Sequence, residues 1–505
     1  MSLKLVWKIM QNSIATEDTS FFGHPKGLAA LFFTELWERF SYYGMRALLV
    51  LYMTAETVGA NPGMGLGVAE ATAIYGLYTF FVYILSLPGG WVADNLWGQR
   101  KAVFIGGIII AAGHFSMAVP TDATFFAGLA LIVVGTGLLK PNVSTVVGDL
   151  YPEGGARRDA GFSIFYMGIN IGGFAGPLLC GWLAETHWHF GFGLAGIGMV
   201  LGLIFFKWGE SWMGTAGDFV SDDTPEVVAK RSRSFYAIAS AFGAAVVALG
   251  SLMSAGILQV DITSIAANLG VVAVVITLGY FAYVTFFGGH TTEEKKRLGV
   301  IFWLFILAAL FWSGFEQAGS SMNLFARELT DLTLGTFDVP PSWLQSVNSF
   351  FIILLAPLFG ILWTTLDRMH ANPPIPVKFA LGLLGLATGF FVLSWGSANA
   401  SATNQVGMSW LVVTYFFHTC GELCLSPVGL SSMTKLAPKS RVGQMMGIWF
   451  VAAALGNLIA GLLAGTLESA APTALFGQVA MFIGGAGVVA LLASPFVQKL
   501  MGDVK

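Results

Sequence analysis

An all-α membrane protein of fourteen transmembrane helices, arranged as six, two and six, is the fold class this sequence predicts. Three observations carry the prediction. Of the 505 residues, 55% are apolar and 10% charged, against roughly 25% charged in a soluble domain, and the mean hydropathy is +0.73. Apolar runs of about 20 residues, the length that crosses a bilayer, recur along the whole chain. Charged and turn-forming residues gather between those runs.

The runs lie near 28-53, 74-93, 102-120, 124-144, 161-184 and 190-208, then 235-257 and 265-288, then 300-325, 342-364, 377-396, 408-433, 443-467 and 474-498. The domain reading follows: an N-terminal segment 1-27, a six-helix bundle 28-209, a polar linker 210-234, an inserted helix pair 235-289, a second six-helix bundle 290-500 and a tail 501-505. Asp218, Asp222, Asp223, Lys230 and Arg231 make the linker solvated, and Glu-Glu-Lys-Lys-Arg at 293-297 ends the inserted pair. Residues 1-27 lack a signal-peptide core followed by a small-residue cleavage site, so this segment is expected to be kept. The inserted pair has no charged membrane residue except Asp261 near its turn and is expected to be peripheral.

Arg39, Arg46 and Lys140 fall inside spans and Arg327 near one edge, while the remaining Lys and Arg fall on one side, which the positive-inside rule makes the cytoplasm. Both termini then face inward. No basic cluster implies nucleic acid. Cys180, Cys420 and Cys424 sit in apolar stretches and read as core residues, and the histidines show no metal or haem spacing. No glycine-rich nucleotide loop is present either, so neither an enzyme nor a cofactor is expected.

The first span is unlike the rest. At about 100° per residue, Glu35, Glu38, Arg39, Tyr42 and Arg46 share a sector of roughly 100° on one helix face. Each charge costs about 2.5–3.5 kcal/mol at the centre of a membrane helix, so this stripe must face water or countercharges. Lys140, Glu316 and Glu422 are further charges inside spans, none with an evident local partner. Cations from the first half and glutamates from the second form a natural set of ion pairs, serving either as static register or as a gate that protonation opens. A cavity with cations on one side and a carboxylate on the other suits a zwitterion such as a short peptide or amino acid.

Two related six-helix halves are how many transporters are built, with the substrate site between them at the midplane. Gly90-Trp-Val-Ala-Asp94-Asn-Leu-Trp-Gly98-Gln-Arg100-Lys101 resembles the loop of the major facilitator superfamily, and implies that fold. Here Asp94 is expected either to cap a neighbouring helix or to pair with Arg100. More specifically, Glu35-Leu-Trp-Glu38-Arg39-Phe40-Ser-Tyr42-Tyr43-Gly44 resembles the first-helix signature of proton-coupled oligopeptide transporters. Phe165-Tyr166-Met-Gly-Ile169-Asn170-Ile-Gly172 and Gly421-Glu422-Leu423, with Ser426-Pro427 and Gly429-Leu430, resemble two more of that family's signatures.

Position by position, the resemblance implies that Arg46, Lys140 and Tyr43 meet the peptide carboxylate. Asn170, Asn348 and Glu422 would take the amino group and backbone amides. Glu35, Glu38 and Arg39 would form the proton-coupling cluster, with Glu316 alternating between a protonated state and pairing with Arg46 or Lys140. Tyr83, Tyr166, Trp312, Phe315, Ser426 and Trp449 would shape side-chain pockets. The histidine that mammalian members carry after the tyrosine matching Tyr75 is Gly76 here, so carboxylates must carry the proton. His418, one turn before Glu422, reads as a core residue.

The resemblance thus implies import of di- and tripeptides with protons across a bacterial inner membrane, by a chain for which a monomer suffices. A nitrate or other small-anion transporter of the same fold and a peptide sensor without transport are the alternatives.

Overall fold

The computed structural model describes residues 19–502 apart from Asp222 and Ala255. Most of the predicted N-terminal segment and of the tail, and Asp222 of the linker, therefore lie outside the described residues.

Each predicted span carries a helix. The first six are α1 (Lys26–Thr54), α2 (Val68–Trp97), α3 (Gln99–Met117), α4 (Asp122–Asp149), α5 (Gly155–Thr186) and α6 (Trp188–Trp208). The inserted pair is α7 (Pro225–Ser254) and α8 (Ile262–Phe287). The last six are α9 (Thr292–Leu329), α10 (Ser346–Arg368), α11 (Ile375–Gly396), α12 (Ser409–Leu436), α13 (Val442–Ala464) and α14 (Pro472–Met501). Twelve helices among the described residues are long and apolar enough to cross a membrane by length and composition. The two outside that set are α1, which carries the charge stripe, and α3, whose first turn is Gln99-Arg100-Lys101.

Most helices begin before their apolar runs, α7 and α9 furthest, at Pro225 and Thr292 against 235 and 300. Pro225 opens α7 and Glu226 sits in its first turn, both favourable at a helix start. At α9, Thr291 accepts a bond from the Glu294 backbone N–H at 3.3 Å while its own N–H donates to Glu294 Oε2 at 2.9 Å. This capping box starts the helix well before the apolar run. Hydropathy marks the hydrocarbon-spanning part of a helix, and caps mark its end.

Residues group into two compact units that do not follow the six-helix boundaries. The first comprises residues up to Met45, Ile84–Gly176 and His189–Ile262; the second comprises Arg46–Tyr83, Pro177–Trp188 and Thr263 onward. Two of the dividing points are weak points of helices: α2 breaks at Leu85 between its helical stretches, and Pro177 lies inside α5, where it removes a backbone donor.

In the first unit, glycines stand at close backbone approaches of α2, α3 and α4. A Cβ on Gly106 would lie 2.6 Å from the Gly135 carbonyl oxygen, and one on Gly128 2.6 Å from that of Gly113, which sets how closely α3 and α4 pack. Gly89 of α2 presses on the Gly137 carbonyl of α4. Gly89→Ala is therefore expected to lower stability by about 1–3 kcal/mol through overpacking. Gly90→Ala, at a position open to space, should leave it unchanged or slightly higher. Thermal unfolding of the two detergent-solubilised variants checks the contrast.

The linker is folded. Arg100 pairs with Asp218 at 2.8 Å, its backbone N–H donates to the Gly217 carbonyl at 3.0 Å, and Gly217 N–H donates to Asp149 Oδ2 at 3.1 Å. Asp94 accepts from Gln99 Nε2 at 2.8 Å, and of its two expected roles the pair with Arg100 is not seen among the described residues, where Arg100 pairs with Asp218. Gly98, at φ +78°, makes the turn, and the Phe219 backbone occupies the space of its missing side chain. Arg231 of α7 reaches Asp223 at 2.7 Å and Asn95 at 3.3 Å, tying the start of α7 to the end of α2. Nearby, His24 Nδ1 and the Tyr151 hydroxyl lie 2.9 Å apart. Burial, reinforced by the Arg157 charge, pushes the His24 pKa down, while burial pushes that of Tyr151 up to about 12.

In the second unit, α12 is wedged between neighbours. A Cβ on Gly421 would stand 2.6 Å from the Gly382 carbonyl of α11, and the Trp449 ring of α13 fills the space of the missing side chain at Gly429. This packing aims the middle of α12, with Glu422, in a fixed direction.

Candidate functional site

The charge stripe of α1 divides between the two units. In the first, α1 is held by α5 and α6. Gly172 packs on the Leu36 carbonyl, a Cβ on Gly176 would come within 2.5 Å of the Phe40 carbonyl, and one on Gly198 within 2.5 Å of the Phe40 ring. Held so, Glu35, Glu38 and Arg39 are each at most 4% exposed. Arg39 Nε lies 3.2 Å from Glu35 Oε1, one turn away. Its terminal nitrogen donates to Glu38 Oε1 at 2.6 Å, and Nε also meets Glu38 Oε2. The guanidinium stands over the Tyr42 ring at 5.0 Å, a cation–π contact, and Tyr43 is within its electrostatic reach.

Two carboxylates thus share one guanidinium, leaving one negative charge to be neutralised. Lys140 of α4 acts attractively on Glu35, and Oε2 of Glu35 is buried with no hydrogen-bond partner among the described residues. Such an oxygen is costly as a bare charge and satisfied by a proton or an approaching cation. The helix around Lys140 is locally constrained. Pro141 follows it inside α4, and Asn142 Nδ2 bonds the Leu138 and Gly89 carbonyls at 2.6 and 3.2 Å.

In the second unit, Arg46 donates to Glu316 Oε2 at 2.8 Å across 270 residues of sequence, with side chains 8% and 5% exposed. Here α9 is interrupted: its first α-helical stretch ends at Phe315, a 3₁₀ turn runs over Glu316–Gly319, and the helix resumes at Ser321. Glu316 therefore stands at the negative end of a half-helix, where a carboxylate is disfavoured and a cation such as Arg46 is favoured. Broken membrane helices of this kind commonly mark ion and substrate sites. The next turn of α1 is pinned as well. Asn323 Nδ2 donates to the Ala47 carbonyl at 2.8 Å, and Arg327 to the Leu51 carbonyl at 3.1 Å.

On α12, Glu422 is 8% exposed and accepts from Asn348 Nδ2 of α10 at 3.2 Å. Arg46 and Glu316 both act on it electrostatically, so these charges form one buried group. The same Asn348 nitrogen donates to Thr419 Oγ1 at 3.0 Å.

The remaining predicted residues are spread across both units. Asn170 is buried in the first, where its Nδ2 donates to the Tyr166 carbonyl at 2.9 Å, and the Tyr166 side chain is exposed. In the second, Phe315 stacks on Phe311 at 5.5 Å, and Trp312 Nε1 is buried without a hydrogen-bond partner among the described residues. Trp449 packs under Gly429, while Tyr83 and Ser426 are half-buried. His418 lies against the Phe390 ring at 4.6 Å, as expected of a core residue. A side chain at Gly76 would meet Gly461 Cα and the Leu458 carbonyl, both at 3.2 Å, so a histidine has no room there.

Sequence reasoning missed Asn323, Arg327 and Thr419 as members of this neighbourhood. An amide one turn after the break in α9 was the only local signal for Asn323; Thr419 offered none.

Membrane-crossing helices that bury opposed charges around a broken helix define a class, that of membrane transport proteins. The sequence profile of the POT family matches residues 100–480. The chain is 42% identical to "Peptide transporter YePEPT" of Yersinia enterocolitica subsp. palearctica, covering 98% of this chain and 99% of that protein. It is 36% identical to the "Di-/tripeptide transporter" of Lactococcus lactis subsp. cremoris, covering 98% and 100%. A crystal structure of a peptide transporter POT in complex with alafosfalin, a glutamate-to-glutamine mutant, superposes with a TM-score of 0.86 at 41% identity over 98% of this chain and 99% of that one. The chain belongs to the POT family and has its major-facilitator type of fold.

Proposed function

We propose that this chain is a proton-coupled symporter that imports di- and tripeptides by alternating access, without catalysis and without a cofactor other than the coupling proton. The observation that carries the reading is the buried Arg46–Glu316 pair beside the Glu422–Asn348 pair. Together they present a cation that can change partner and an acceptor for an ammonium group. The peptide transporters among its relatives support the same substrate class.

Coupling follows from charge balance. A peptide carboxylate that takes Arg46 displaces Glu316 from its partner; Lys140 and Tyr43 are its further contacts in this reading. A buried carboxylate left unpaired is strongly disfavoured, so Glu316 takes up a proton at that step. Asn170, Asn348 and Glu422 receive the amino end and the backbone amides. Tyr83, Tyr166, Trp312, Phe315, Ser426 and Trp449 line tolerant side-chain pockets. The Glu35–Glu38–Arg39 cluster holds the second exchangeable proton position. When peptide and proton leave toward the cytoplasm, Arg46 and Glu316 re-pair and the site resets. One proton moving down 100 mV supplies about 2.3 kcal/mol, enough for roughly 50-fold accumulation of a zwitterion. In this reading the protein works in a bacterial inner membrane with both termini cytoplasmic.

The test is uptake of labelled dialanine into proteoliposomes, with and without an inward proton gradient, while an internal dye reports pH. Gradient-driven accumulation with matching acidification supports the reading. Peptide binding without entry of either species would replace it with a sensor; absence of binding would send the test to nitrate and other small anions. Glu422→Gln is expected to raise the KM for dialanine about 10- to 100-fold, the factor given by about 1.5–3 kcal/mol for a bond to a charged group. An unchanged KM would remove Glu422 from the amino-group site.

A further inference from the structure

Thr419 carries no role in the reading above, and its geometry gives it one. Its hydroxyl proton is committed to the Tyr415 carbonyl one turn back on α12, at 2.7 Å. What Oγ1 offers Asn348 is therefore a lone pair, and it accepts from Asn348 Nδ2 at 3.0 Å. The second hydrogen of that nitrogen goes to Glu422 Oε2 at 3.2 Å. Thr419 is fully buried, so no water competes for the contact. An amide has two edges, and both hydrogens of this one are directed at α12. The Oδ1 edge, an acceptor, is consequently turned away from α12.

We infer that Thr419 is a positioning residue for the peptide's amino end: it sets the amide of Asn348 in the one orientation that presents Oδ1 and the Glu422 carboxylate together as acceptors for an ammonium group. This rests on the assignment of Asn348 and Glu422 to that end of the substrate. Were the amide reversed, Oδ1 would face two oxygen acceptors, Thr419 Oγ1 and the Glu422 carboxylate, and its NH₂ would face the ligand's N–H donors. Glu422 and a threonine one turn earlier thus act as a pair, and the hydroxyl adds its preference to that of the carboxylate for one of two amide orientations of nearly equal shape.

The experiment is a double-mutant cycle on dialanine uptake. Thr419→Val keeps the branched shape and removes the hydroxyl; Thr419→Ser keeps the hydroxyl. Thr419→Val is expected to raise KM roughly 3- to 10-fold, the worth of one neutral hydrogen bond, with maximal rate nearly unchanged and with Thr419→Ser close to wild type. In an Asn348→Ala background, which itself raises KM, Thr419→Val should add nothing, because there is no amide left to orient. If the valine penalty persists in full in that background, or if serine loses as much as valine, Thr419 is a packing residue and the inference fails while the amino-group site stands. If Asn348→Ala leaves KM unchanged, the amino-group assignment falls and the role of Thr419 falls with it.

Discussion

Proteoliposomes carrying Arg46→Ala are expected to accumulate no dialanine, and the purified variant to be the less stable by about 3–5 kcal/mol, the cost of leaving one partner of a buried ion pair uncompensated. Glu316 is 4% exposed and sits at the end of a half-helix, so no water or favourable dipole replaces the guanidinium. The double variant Arg46→Ala with Glu316→Gln separates the two consequences. It removes the stranded charge and should recover much of the thermal stability, yet still fail to accumulate peptide, because both the carboxylate ligand and the proton acceptor are gone. Glu316→Gln alone should exchange dialanine across the membrane without responding to a proton gradient. Normal gradient-driven uptake by Arg46→Ala would sink the proposed partner exchange.

The second large effect is expected at the first-helix cluster. Arg39→Ala strands Glu35 and Glu38, both nearly inaccessible to water, with Lys140 still acting attractively on Glu35. A loss of folded, monodisperse protein is expected, again of about 3–5 kcal/mol. Glu35→Gln is the informative companion. It retains the shape and the Arg39–Glu38 pair while removing the surplus negative charge, so the protein should fold. Its accumulation ratio for dialanine should fall from the roughly 50-fold available at 100 mV to near one, with exchange of unlabelled for labelled peptide preserved. The dye signal and the label are read in the same vesicles. Full accumulation by Glu35→Gln would remove this cluster from proton coupling.

Much of this was legible from the chain alone, for physical reasons that differ by residue. The stripe of α1 follows from helical periodicity, which alone brings Glu35, Glu38 and Arg39 to one face. The helix ends at Pro225 and Thr291 are readable from cap chemistry, but hydropathy overlooks them because it weighs apolarity alone. Asn170 and Asn348 entered through the family resemblance, since a neutral amide in a membrane helix is as compatible with a backbone contact as with a ligand. No Asp94–Arg100 pair is seen among the described residues, although their spacing allows one. The folded linker supplies Asp218 as a better-placed partner for Arg100, and local spacing cannot anticipate a competitor 118 residues on.

The membrane class, the approximate positions of the fourteen helices and the identity of the buried charges were readable in the chain, because each depends on short-range periodicity, composition and solvation cost. Which charge meets which is set by the folded chain. Arg46 finds Glu316 and not another carboxylate, α9 breaks at Glu316 with no proline to announce it, and Asn348 is oriented by Thr419. Those outcomes depend on distances of about 3 Å between helices far apart in the chain, and hydrogen bonds and ion pairs lose their geometry within an ångström of such distances.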